Sequence, residues 1–120
     1  MGKRARKRAK AGAPREEPLK APATVYAHPE HGELELRGAM TLKTRQAYAE
    51  IGGVREDAWQ RQVEFLFERL AARWTIQGVP VERQGELLAR FRVATRDERA
   101  WIRDALREHL AEHFPEMAAP

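Results

Sequence analysis

The feature that most constrains this chain is a set of large apolar residues spaced at helical period. Trp59, Val63, Leu66, Phe67, Leu70 and Trp74 stand at offsets 0, 4, 7, 8, 11 and 15. On an α-helix they form one continuous stripe, and a stripe of that kind must be buried. Asp57-Ala58-Trp59-Gln60 precedes it with capping-box spacing, the Asp oxygen serving the N3 amide and Gln60 reaching back. Glu56 and Asp57 also complement the positive end of the helix dipole. Gly78 followed by Pro80 reads as a C-cap and stop. The pattern predicts a helix over 57–77, with Phe65 and Ile76 off the stripe marking a second buried face.

Weaker signals flank this element. Thr24–His28 is β-prone, Pro29-Glu30-His31-Gly32 is turn chemistry, and Glu33–Arg37 alternates with period two, which predicts a hairpin with Leu34 and Leu36 facing the core. Thr41 is placed to cap a helix from about Leu42 to Ile51, stopped by Gly52-Gly53. A helix over about Glu82–Arg92 is anchored by Leu87, Leu88 and Phe91. Thr95-Arg96-Asp97-Glu98 is a capping box that opens a last helix reaching about His113. Ile102, Leu106, Leu110 and Phe114 share one face of that helix, and Pro115 ends it.

Charge is distributed unevenly over this framework. Residues 1–22 carry eight basic residues against two acids, a net of +6, while residues 23–120 carry fourteen against sixteen, a net of −2. Leu19 is the one large apolar residue of that first segment after Met1, and Pro14, Pro18 and Pro22 block a helix there. Such a segment does not bury enough apolar surface to offset its ordering entropy, so it is expected to be a disordered basic tail. The expected architecture is mainly α: three to four helices with a small N-terminal β-hairpin. Residues 1–22 form the tail, 23–115 a single helical domain with the hairpin, and 116–120 a frayed end.

The same numbers narrow the function. Lys3, Arg4, Arg6, Lys7, Arg8 and Lys10 precede any acid and attract polyanions through phosphate contacts and counterion release. The segment has no aromatic residue to stack on bases. Arg outnumbers Lys by 17 to 5 across the chain, a bias that also follows from a GC-rich genome. No apolar run approaches the roughly 18–20 residues that cross a bilayer, and no secretory h-region follows the basic start. Cysteine and serine are absent, which removes disulfides, thiol or serine nucleophiles and Cys-ligated metals. Asp57 and Asp97, two of the three aspartates, sit at predicted helix starts, where capping accounts for them.

His109-Leu110-Ala111-Glu112-His113 matches the H-x-x-E-H spelling of inverted zinc peptidases. His28 or His31 would complete a three-His site if the hairpin packs on the last helix. The alternative for His109 and His113 is favourable placement of cations at a helix C-terminus. The Arg/Glu-rich faces carrying Arg61, Glu64 and Glu68, and Arg99, Arg103 and Glu112, read as solvated ion-pair surfaces.

From Leu36-Arg37-Gly38, through Ala72-Arg73-Trp74-Thr75-Ile76-Gln77-Gly78-Val79-Pro80-Val81, to the two later helices, about two thirds of the chain resembles small tail-assembly chaperones of bacteriophages and prophages. That resemblance implies a small, mostly helical protein that binds an extended partner, with no catalytic residue carried over. The opening Met1–Arg8 is also similar to the starts of many small proteins of GC-rich bacteria. The expected function is a non-enzymatic, cytoplasmic binding module without metal or cofactor. Its tail contacts nucleic acid or ribonucleoprotein non-specifically, and its helical domain contacts a protein. A tail-assembly chaperone is the second reading. A metal-dependent enzyme using His109, Glu112 and His113 is the third.

Overall fold

In a computed structural model of the chain, which describes residues 22–51 and 57–120, the apolar stripe divides between a helix and a strand. Strands β1 (Thr24–His28) and β2 (Gly32–Leu36) form the expected hairpin. Helices α1 (Leu42–Ile51) and α2 (Ala58–Leu70) follow. The chain then enters β3 (Ala71–Ile76) and β4 (Val79–Val81), and ends with α3 (Gln84–Arg92) and α4 (Arg96–His113). The four strands make one antiparallel sheet in the order β1-β2-β3-β4. The expected helices and the N-terminal hairpin are present, but β3 and β4 extend the hairpin into a four-stranded sheet, so the described fold is not plainly mainly α.

The predicted helix 57–77 stops at Leu70 because the next residues turn outward into extended backbone, beginning with Ala71 at φ −68°, ψ 123°. Gln77 and Gly78 both take positive φ, 52° and 81°. Two left-handed residues between paired strands are the turn that matches the twist of a hairpin, so Gly78 closes a β-turn and does not cap a helix. Pro80 sits in β4, which is a sheet edge, where a residue without an N–H is tolerated.

The register explains which residues go inside. Tyr26 faces Leu34, Leu34 faces Trp74, and Trp74 faces Val81, one row across all four strands. Leu34, Leu36 and Trp74 are fully buried. They share one core with Val63, Leu66, Phe67 and Leu70 of α2, Leu87 and Phe91 of α3, and Ile102, Leu106 and Leu110 of α4. The alternate residues Val25, Ala27, Glu33 and Arg73 point to the other face and are exposed. Of the three tryptophans, Trp74 lies inside the core, while Trp59 and Trp101 pack half-buried against it.

The caps vary. Thr41 accepts a bond from the Thr44 amide (3.1 Å) at the start of α1. Thr95 and Glu98 form the complete reciprocal box at α4. Asp57 stands at the α2 N-cap without a side-chain capping bond, so the box expected over Asp57–Gln60 does not form there. The Gly52-Gly53 stop lies outside the described residues. Residues 116–120, expected to fray, lie against the body. Glu116 pairs with Arg45 (2.7 Å), Ala118 accepts from the Tyr48 hydroxyl (2.5 Å), and the Pro120 main-chain oxygen accepts from Arg103 (3.0 Å) and Arg107 (2.8 Å).

Gly32 opens β2 at φ +94°, and a Cβ there would lie 2.0 Å from the Thr75 carbonyl oxygen of β3. Gly78 has a similar φ of +81° but open space around it. Gly32→Ala is expected to cost about 2–4 kcal/mol, and Gly78→Ala only about 1–2 kcal/mol. Urea unfolding of both variants measures the difference; equal losses would contradict the close approach of β2 and β3.

Candidate functional site

The histidines of α4 were one candidate for chemistry, and their surroundings assign them a different task. His109 is fully buried. Its Nε2 lies 2.7 Å from the Arg37 carbonyl oxygen, and its Nδ1 lies 2.9 Å from the Tyr26 hydroxyl. A carbonyl only accepts, so Nε2 carries the proton and Nδ1 accepts from Tyr26. The result is a directed chain, Tyr26 to His109 to Arg37, that ties β1 and the end of β2 to α4. Burial lowers the His109 pKa, and the charge of His113 acts in the same direction against the opposing bond to Arg37 and the Glu112 carboxylate. Burial, with the charges of Glu108 and Glu112, pushes the Tyr26 phenol up to about 12. Both groups stay neutral, so His109 is not the cation that a helix C-terminus would attract. With both its nitrogens engaged, His109 is not set up to ligate a metal beside His113. The His113 Nε2 instead lies 3.3 Å from the Thr24 hydroxyl and 4.0 Å from Glu112.

His28 and His31 do not join that pair. They stack on each other at 4.2 Å in the β1–β2 loop and pack on Trp101. Together with Glu30 their ligating atoms lie within 4.8 Å of one another. His28 Nδ1 already accepts from the amides of Glu30 (3.0 Å) and His31 (3.3 Å), so that atom holds the loop.

Glu98 is a buried carboxylate. Burial alone would raise its pKa, but the bonds from Arg90 and the Thr95 amide and the charges of Arg90 and His31 outweigh it, and the net shift is downward. Arg90 donates to Glu98 (2.7 Å) while its guanidinium covers the Trp74 ring at 4.8 Å. This set joins β3, α3 and α4.

A groove of about 700 Å³ runs between α2, the end of α3 and the first half of α4. Trp59 and Phe91 form its apolar surface, and Arg61, Arg96, Arg99 and Arg103 line it against two acids, Glu64 and Asp104. Glu64 is taken by a two-pronged contact from Arg92 (3.0 and 2.8 Å). Arg99 and Arg103, read from the sequence as members of ion-pair faces, instead cover aromatic rings. Arg103 sits 4.2 Å over Trp59 and Arg99 5.3 Å over Phe91. Arg61 and Arg96 make no side-chain hydrogen bond or ion pair among the described residues. Sequence reasoning missed this groove because it assigned Trp59 to the core stripe and the arginines to solvent. The spacing of Arg96, Arg99 and Arg103 at i, i+3 and i+7 was the available signal.

Lys3, Arg4, Arg6, Lys7, Arg8 and Lys10, the expected nucleic-acid contacts, lie outside the described residues. Among the described residues, no helix is long and apolar enough to cross a membrane. No family model, curated protein or solved structure matches the chain.

The His109 geometry has a pH signature. With its folded pKa below the unfolded value near 6.5, its contribution to stability is complete above that value and is lost as pH falls from there through the lower folded pKa. The melting temperature of the native chain is expected to fall between pH 7 and pH 5. In H109Q, whose amide can donate to Arg37 and accept from Tyr26 without titrating, the fall should be smaller. Parallel curves for the two would contradict a buried neutral His109.

Proposed function

We propose that this protein is a non-enzymatic, cytoplasmic binding module whose cationic N-terminal segment holds nucleic acid through non-specific phosphate contacts. The single observation that carries this is the segregation of charge, +6 over residues 1–22 against −2 over residues 23–120. The pairing within the body supports it. Arg45, Arg73, Arg90 and Arg92 each meet a carboxylate within 2.8 Å, so these body arginines are already partly neutralised. The segment's cations outnumber the acids beside them fourfold, and each phosphate they neutralise releases counterions. The buried neutral His109 also supports a binding role over hydrolytic metal chemistry, because both its ring nitrogens are engaged by Tyr26 and the Arg37 carbonyl.

The folded body is proposed to contact a protein. Its support is the edge strand β1, which pairs on one side with β2 and leaves Val25 54% exposed. An edge of this kind can accept a further strand.

The test keeps the chain at full length. Lys3, Arg4, Arg6, Lys7, Arg8 and Lys10 are all replaced by Gln, and binding to a labelled oligonucleotide is followed by gel shift over a salt series. The native chain is expected to bind with steep salt dependence, and the variant to bind at least about tenfold more weakly with a shallower slope. Equal binding by both chains, or none by the native chain, would sink the proposal.

A further inference from the structure

The groove between α2 and α4 is where the body departs from its own charge balance. Four arginines line it against Glu64 and Asp104, and Glu64 is already held by Arg92. Its volume of about 700 Å³ lies inside the roughly 300–1,000 Å³ range of sites that enclose small organic molecules. A recess of this size admits a nucleotide or two, whereas the outside of a duplex meets it only at its rim. Its aromatic rings are not bare: the guanidinium carbons of Arg103 and Arg99 lie 4.2 and 5.3 Å from the ring centroids of Trp59 and Phe91, and Arg99 also donates to the Arg92 carbonyl (2.7 Å). A guanidinium held over a ring and tied to a main-chain oxygen, as Arg99 is to Arg92, is fixed in place and can offer its open face to an unpaired base. Arg61 and Arg96, exposed at the groove and unengaged among the described residues, are free to meet phosphates.

We infer that this groove is a second nucleic-acid contact, specific for single strands over duplex. Arg61 and Arg96 take phosphates, while Arg99, held on Phe91, takes an unpaired base. The inference rests on the nucleic-acid reading of the N-terminal segment and adds what that segment lacks, since residues 1–22 carry no aromatic residue for stacking. The segment supplies sequence-independent attraction, and the groove supplies the discrimination between single and double strands. The occupant follows from charge and shape together: a net positive recess with planar cationic walls fits an unpaired polyanion with flat bases.

Four full-length chains, the native one, R61Q/R96Q, R99K and the chain neutralised at residues 3–10, separate the possibilities in fluorescence anisotropy with labelled oligo-dT, oligo-U and a duplex of equal length. In R61Q/R96Q, which removes two exposed side chains with no internal partner, single-strand affinity should fall at least about fivefold. The slope of log affinity against log salt should flatten by about 1.4, two phosphates at about 0.7 each. In R99K, which keeps the charge and removes the plane, single-strand affinity should fall while the salt slope stays unchanged. Thermal melts confirm that each variant is folded. The native chain should prefer both single strands to the duplex. Native affinity in R61Q/R96Q, together with loss in the chain neutralised at residues 3–10, overturns the groove and leaves the N-terminal reading standing. Unchanged binding in every variant overturns both. A native preference for duplex also overturns the groove.

Discussion

The position of the Trp74 indole holds this structure together. Its ring is fully buried in the middle of β3, and its Nε1–H donates to the His31 carbonyl (2.9 Å) in the β1–β2 loop. Phe67 of α2 meets it edge-on at 6.0 Å, Trp101 of α4 lies at 6.3 Å, and Arg90 of α3 covers it at 4.8 Å. One side chain therefore touches the hairpin loop and three of the four described helices. Arg90 passes that connection on to Glu98, which completes the cap of α4. A residue of this size, with its one polar atom satisfied, does most where several elements must meet around it.

The second tie is the hydrogen-bonded chain of Tyr26, His109 and Arg37 at the other end of α4. The Trp74 cluster fixes the first half of α4 against β3 and α3, and the His109 chain fixes the second half against β1 and β2. With α4 held at both ends, the face carrying Arg96, Arg99 and Arg103 is left toward α2, where Trp59 and Phe91 meet it. The groove is thus a consequence of how α4 is anchored, and two of its arginines, Arg99 and Arg103, lie over aromatic rings.

Much of this was readable from residue order, and the exceptions have physical reasons. The first hairpin, with Leu34 and Leu36 inside, follows from period-two alternation. Thr41 and the Thr95–Glu98 box announce their helices because capping is a local interaction. Residues 71–81 misled because Trp74 falls on the helical period of α2, and Ala71, Ala72 and Arg73 are good helix formers. What makes β3 a strand is its pairing with β2, some forty positions earlier in the chain. The clues were the β-branched Thr75, Ile76, Val79 and Val81 around Gln77-Gly78, a pair that serves equally as a helix stop and as a hairpin turn. The role of His109 was hidden for a similar reason. Its partners Tyr26 and Arg37 are distant in sequence, and burial that keeps an imidazole neutral is a property of the assembled core. Residue order reads Arg61, Arg99 and Arg103 as ion-pair faces and Arg96 as part of the α4 cap, because the rings beneath Arg99 and Arg103 belong to other elements and are met only in the assembled fold.

The proposal is a division of labour: the N-terminal cations and the α2/α4 groove are proposed to meet nucleic acid, while the sheet and the His109 chain hold the fold. Amide chemical-shift mapping of the full-length chain titrated with unlabelled oligo-dT tests it most directly. The account predicts perturbations concentrated in residues 1–22 and around Trp59–Glu64 and Arg96–Asp104, with β1 to β4 and His109 unmoved. Shifts centred on the sheet or on His109 and His113, with the groove silent, would contradict it.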